Sequence, residues 1–294
     1  MQGTMKGFNT ATIKNGEELF ALTLKIKQHD DQCQLYYLQP VVLFDLLQIL
    51  LSRLAKITQL ATIEGESYQN KLVASSEALV SNIPQIDMTE LQQPDSARRI
   101  ASLTLKPGDS HFSMIAVLQN ESIAVLTLDD TQVGALLVAI QQALLNAGDE
   151  KLLNYINSHL DHLILYATDL TGIPRIDYQQ FEYPEWKHAL FSHHLAVLYC
   201  FETEQGERIL SGAVIKTSVE HRSEREVSIV RLLAEKCPKL KVFSDKYLMT
   251  KVLTRVIPAP QGKIASLDEC LLPLRTFCQE MQASQDSSTP SVRH

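Results

Sequence analysis

A chain of 294 residues has room for one large or two ordinary domains, and 45% hydrophobic with 21% charged residues is a globular composition. The net charge is −7, and the five cysteines, odd in number and without a Cys-x-x-Cys pair, imply neither a disulfide framework nor a zinc ribbon. The first nine residues lack the basic start and compact apolar run of a signal peptide, so a cytosolic protein is expected.

In chain order, Thr10–Ile13 reads as a strand and Asn15-Gly16 as a tight turn with both central residues at positive φ. The returning strand, Phe20–Lys27, places Phe20, Leu22, Leu24 and Ile26 on a buried face, with Ala21 on a largely wet one. His29–Gln32 turns the chain, Leu35–Leu38 returns, and Pro40 opens a helix over Val41–Ile57. Asp45, Gln48, Ser52 and Lys56 form a polar stripe that should meet water. Ala61–Val80 keeps helical spacing, Pro84 stops it, and Ser81–Arg99 is a polar connector.

The pattern then recurs. Ile100–Leu105 is a strand, Pro107–Asp109 a turn, and Phe112, Met114, Ala116 and Leu118 share one face of the next strand. Gln119–Ser122 turns, Ile123–Leu128 returns, and Asp129 or Asp130 caps a helix over about Gln132–Leu145. Phe20 and Phe112 align at an offset of 92, whereas Leu38, Leu46, Leu47 and Leu54 meet Leu128, Leu136, Leu137 and Leu144 at 90, which puts a two-residue length change in the hairpin between them. Two tandem β-β-β-α units result. The second helix has no polar side chain from Val133 to Ile140, so it lies under another element or at a subunit contact, with Val133, Leu136, Leu137 and Ile140 as interface candidates. Neither helix has the apolar length of a membrane span.

Lys151–Leu165 is a further helix candidate and Ala167–Pro174 a loop. The expected architecture is α+β: a duplicated β-β-β-α domain over 1–168, a smaller basic α+β domain over 169–283, and a disordered tail over 284–294. In the second domain, an aromatic loop, Tyr178–Trp186, precedes a hairpin of Leu195–Phe201 and Ile209–Thr217. A helix follows over Ser223–Cys237, then a strand over Val252–Ile257 and a helix from the Ser266-x-x-Glu269 capping box to Met281, with Pro273 inside it.

Arg208–Lys263 holds 12 Lys plus Arg against 5 Asp plus Glu, a basic stretch in an acidic chain. Lys236, Lys239, Lys241, Lys246, Lys251 and Arg255 are the residues that could fix phosphates of a nucleic acid, without reading its sequence. His159 and His162, three apart on the expected helix, could hold a metal with His188, His193 or His194, although no zinc-enzyme motif accompanies them. Lys216 sits where a restriction-type nuclease has its lysine, but Val214 stands where such a site needs a carboxylate. The glycines form no phosphate loop, and Ile209 replaces the first glycine of a nucleophile elbow around Ser211. No cofactor is implied.

Met5–Ile13, Pro184-Glu-Trp-Lys187 and Gly212–Thr217 resemble segments of the YjeJ family of enterobacterial proteins. The resemblance extends along most of the chain and implies a bacterial cytosolic protein of unassigned function; it supplies no catalytic residue. The functional expectation is therefore a non-enzymatic interaction or regulatory protein that self-associates or binds another protein, and no membrane. The alternatives are a nucleic-acid-associated protein and a metal-dependent hydrolase.

Overall fold

The computed structural model describes residues 4–171, 176–258 and 265–286. The chain divides between Leu160 and Asp161 into two compact units, each α+β with its own sheet.

Unit 1 opens with β1 (Gly7–Asn15), β2 (Glu18–Lys27) and β3 (Cys33–Leu38), followed by α1 (Pro40–Glu64) and α2 (Glu66–Val80), which part at Gly65. A short α3 (Met88–Gln92) lies in the connector to β4 (Arg99–Lys106), β5 (His111–Leu118) and β6 (Ile123–Asp129); α4 (Asp130–Ala147) and α5 (Glu150–His159) complete the unit. All six strands form one sheet in chain order. Every neighbouring pair is antiparallel except β3 and β4, which run parallel where the two halves meet.

The halves are built alike. In the β2–β3 turn, the amide of Asp31 bonds the carbonyl of Gln28, the amide of Gln32 bonds the Asp30 carboxylate, and Asp31 has φ of 63°. In the β5–β6 turn, Glu121 bonds Leu118, the amide of Ser122 bonds the Asn120 side chain, and Glu121 has φ of 65°. Each partner is offset by 90, and so are the strand pairs: Leu22 opposite Leu38 corresponds to Phe112 opposite Leu128. Phe112 therefore matches Leu22, not Phe20, and the expected length change in this hairpin is absent. A change of five residues instead falls one hairpin earlier, since Thr10 opposite Leu24 corresponds to Leu105 opposite Met114. Phe20 misled because it is the extra residue of a β-bulge: Ile13 pairs with Ala21 and Lys14 with Leu19, so Leu19 turns inward and Phe20 is left 40% exposed. The β1–β2 turn is also different from expectation. Its central residues are Gly16 and Glu17, and only Gly16 has positive φ, as a II′ turn requires.

Helices α1 and α4 cover one face of the sheet, above Leu22, Leu24, Leu38, Phe112 and Met114, all fully buried. The opposite face of the first half is not wet. Ala21, Leu35 and Tyr37 cluster there with Ile13, and the connector crosses this side: the Tyr37 hydroxyl donates to the Glu90 carbonyl, Lys25 pairs with Glu90 and Asn9 donates to the Pro84 carbonyl. A Cβ on Gly7 would lie 2.0 Å from the Asn82 carbonyl oxygen, so only glycine lets the end of α2 come this close. The stripe on α1 is not solvated either, because Gln48 is buried and Phe44 beside it meets the Tyr155 ring of α5 at 5.4 Å. Farther along α1, Arg53 makes a buried two-oxygen ion pair with Asp130, donates to the Gly108 and Asp109 carbonyls and lies 5.0 Å over the Phe112 ring.

Unit 2 contains β7 (His162–Asp169), β8 (Asp177–Gln180), α6 (Glu185–His188), β9 (His193–Glu202), β10 (Arg208–Thr217), α7 (Glu224–Lys236), α8 (Pro238–Ser244), β11 (Leu248–Ile257) and α9 (Leu267–Asp286). Its antiparallel sheet has the order β11-β9-β10-β7-β8. Leu195, Val197, Tyr199 and Phe201 pack beneath α7 and α8; Ala196, Leu198 and Cys200 pack beneath α9. Gly212 allows that second contact, since a Cβ there would meet Thr168 Oγ1 and the Val197 carbonyl at 3.0 Å and Leu274 at 3.2 Å.

Three expectations change here. Lys151–Leu165 is not one helix: α5 ends at His159, and β7 pairs with β10, which moves the boundary from 168 back to 160. The helix with Pro273 continues to Asp286, so residues 284–286 are helical, while 287–294 fall outside the described residues. The aromatic loop is shorter than expected, its ends taken into β8 and α6, with Phe181 and Tyr183 packed against opposite faces of the sheet.

Candidate functional site

Unit 1 carries an apolar cleft of about 510 Å³ where α2, β1 and α4 meet. Leu72, Leu79, Val80 and Ile83 line one side, and Gly134, Ala135, Val138 and Ala139 of α4 line another. No lining residue is charged, whereas Val80, Ile83 and Val138 are exposed by 65%, 53% and 65%. Glycine inside a helix costs about 1 kcal/mol relative to alanine. Nothing within unit 1 requires it at Gly134, because an added Cβ would meet no atom within 4 Å. The Asp129 cap and the Gln132 side chain, which closes the capping box and donates to the Met5 carbonyl, fix the start of α4 and thereby the cleft.

The expected interface residues lie elsewhere. Val133, Leu136 and Ile140 are fully buried beneath α4, so they cannot meet a second chain; Leu137 is half-buried. The all-apolar helix is explained by the sheet on one side and the open cleft on another. What the periodicity missed is that the small residues between the leucines make the outward surface.

The six basic residues do not form one surface. Lys236, Lys239, Lys241 and Lys246 lie on or after α7 and α8, while Lys251 and Arg255 pair with Cys200 and Ala196 of β9 and share the face covered by α9. Lys239 is held by Asp177 at 2.6 Å, and Arg255 by Glu280 at 2.5 Å over the Phe277 ring at 4.5 Å. Lys246 sits 5.0 Å over Tyr247.

The metal candidates are also divided. His159 ends α5, stacked on Tyr155 at 4.4 Å, whereas His162 begins β7, buried and bonded to Asp161 at 3.2 Å. The helical spacing that suggested a shared ligand pair does not exist, and no group of three metal-capable side chains occurs among the described residues. His193, at the start of β9, has Ser192 Oγ at 3.1 Å from Nδ1 and feels the charge of Glu226 on α7. The nearby Glu226 is saturated: His221 at 2.8 Å, the Arg222 amide at 2.9 Å and Thr254 Oγ1 at 2.6 Å all reach it. Burial pushes its carboxyl up, but these bonds outweigh that and hold it below the usual range. Glu226 is therefore a brace between α7 and β11. Burial raises the thiols of Cys270 and Cys278 to about 12, so both behave as apolar side chains; Cys33 is exposed.

A six-stranded duplicated sheet carrying an apolar cleft, followed by a five-stranded α+β unit, defines a two-unit α+β protein. The YjeJ-like family model matches residues 1–284, and the chain belongs to that family. It is 32% identical over 272 residues to a protein of Escherichia coli (strain K12) named Uncharacterized protein YjeJ, covering 91% of this chain and 92% of that one. No solved structure matches it. Two of the three segments that carried the resemblance contain the glycines, Gly7 and Gly212, that close packing requires. No helix among the described residues is long and apolar enough to cross a membrane.

Proposed function

We propose that this is a non-enzymatic cytosolic interaction protein that self-associates through the α2–α4 cleft. The observation that carries the reading is Gly134: a helix interior gives up stability for a flat, uncharged surface that unit 1 itself does not fill. A second copy is the occupant that the charge favours. Residues 1–160 hold 11 Lys and Arg against 17 Asp and Glu, so two copies repel wherever charged surfaces meet, and the cleft offers a contact free of like charge. A twofold contact presents the same patch twice, and this patch supplies both the groove and the exposed apolar residues, Val80, Ile83 and Val138, to enter it.

Light scattering of the purified chain at micromolar concentration is expected to give a dimer that Val138→Glu converts to monomer, with unchanged circular dichroism. A wild-type monomer, or a Val138→Glu dimer, would refute the reading. The nucleic-acid alternative is weaker: Lys239 and Arg255 are already committed to carboxylates and Lys246 lies over the Tyr247 ring, which leaves Lys236 and Lys241 without an ion pair among the described residues.

A further inference from the structure

In unit 2, three nitrogen-bearing side chains meet on the α9 side of the sheet without satisfying one another. Lys216 of β10 is directly opposite His194 of β9, and both side chains are buried, at 3% and 1% exposure. His188, at the end of α6, is also buried, and lies near enough for Lys216 to act on it and for it to act on His194. Both ring nitrogens of His194 and Nδ1 of His188 are enclosed without hydrogen-bond partners; Lys216 makes no side-chain hydrogen bond or ion pair among the described residues, and its Nζ is not fully enclosed as the histidine nitrogens are. On the same face of the sheet Leu163 is opposite Lys216 on β7, and Val214 and Ala196 form the next pair along β10 and β9; none of them offers a polar side-chain atom. Buried polar groups in a native fold are ordinarily satisfied, and a buried ammonium is ordinarily paired. Glu226 in the same unit is fully bonded, while on the neighbouring residue of β9 His193 Nε2 also lacks a partner.

The local field has one sign. Burial is the main cause lowering His194, to about 4, and Lys216, His188 and His193 add to it; burial and then Lys216 lower His188; burial alone lowers Lys216. Two carboxylates face the cluster. Glu269 of α9 acts on His194 but is bonded by the amide and hydroxyl of Ser266, and Glu185 of α6 acts on His188. Neither makes a hydrogen bond to the three nitrogens that lack one.

We propose that Lys216, His194 and His188 form a binding site for a small oxyanion of the carboxylate or phosphate class. Lys216 Nζ supplies the charge and His194, neutral with one N–H, supplies a second donor, so two oxygens of one anion are held on adjacent strands. His188 has a different part. Its unpartnered Nδ1 can accept in the neutral ring, which suits a hydroxyl of a singly protonated phosphate and makes no contact with a carboxylate. That difference separates the two sources of oxyanion.

The test is thermal unfolding of the whole chain at constant ionic strength, with chloride exchanged for inorganic phosphate or acetate. A saturable rise in Tm with either anion is expected, with phosphate favoured if His188 takes part and acetate equal to it if His188 does not. Lys216→Met should abolish the rise, or weaken Kd at least tenfold, while Lys241→Met leaves it intact. An equal response in wild type and Lys216→Met would mean general anion effects and overturn the site, as would no response to either anion in the wild type. Should Lys216→Met not fold, the His194 ring of the wild type decides by NMR: its pKa must rise from about 4 at saturating anion, and a fixed pKa refutes the proposal.

Discussion

The two long helices of unit 1 are the same element used twice, and their outward faces have been finished differently. Leu43, Leu46 and Leu50 of α1 and Val133, Leu136 and Ile140 of α4 occupy equivalent positions, and all six are fully buried against the sheet side. One turn around, Phe44, Asp45 and Gln48 of α1 correspond to Gly134, Ala135 and Val138 of α4. In α1 that position carries a ring packed on Tyr155; in α4 it carries no side chain and borders the cleft. The difference teaches where to look for a partner. A duplicated fold has its inner surface fixed twice by the same packing requirement, so what diverges on the outer surface reports a use rather than a fold.

Three perturbations would break or sharpen this contrast. The largest effect is expected at Arg53, whose counterpart in α4 is Ala143. Arg53→Ala leaves Asp130 buried without its cation and should cost about 3–5 kcal/mol in urea unfolding, whereas Arg53→Met with Asp130→Leu should recover most of it. An intermediate effect is expected at Phe44: Phe44→Ala removes a half-buried ring and its contact with Tyr155, for a loss of roughly 2 kcal/mol by the same measurement. The smallest has the opposite sign. Gly134→Ala meets open space and a better helix former, so stability should rise by about 0.5–1 kcal/mol while light scattering shows weaker dimerisation. Loss of stability in that variant would mean that Gly134 serves the fold of the monomer, and the contrast between the helices would disappear.

Much of this was legible in the residues. The α+β class, the repeat and its 90-residue offset followed from hairpin signals and leucine spacing. Phe20 was misread because a bulge leaves no mark in alternation: the strand pattern Phe20, Leu22, Leu24, Ile26 is regular, and only pairing shows that one residue is extra. The helix reading of Lys151–Leu165 fails because Ile156, Leu160 and Leu163 keep helical spacing across the end of α5, and no glycine or proline marks the change at Leu160. The cleft was hidden for another reason. Small residues on a helix look like part of a core stripe, and only the open space above Gly134 shows that they are not. The basic residues were counted along the chain, but alternate strand positions and separate helices send them to different faces.

The parallel contact between β3 and β4 has one last implication. It is the single place where the halves of the sheet join strand to strand, and it rests on two register pairs, Tyr37 with Arg99 and Leu38 with Ile100. Each three-stranded meander closes through neighbours in sequence, whereas this seam must bring together ends separated by two helices and the connector. The order of assembly is thereby built into the topology: local meanders first, seam last, with the loop-closure entropy of α1, α2 and the connector governing how fast the six strands become one.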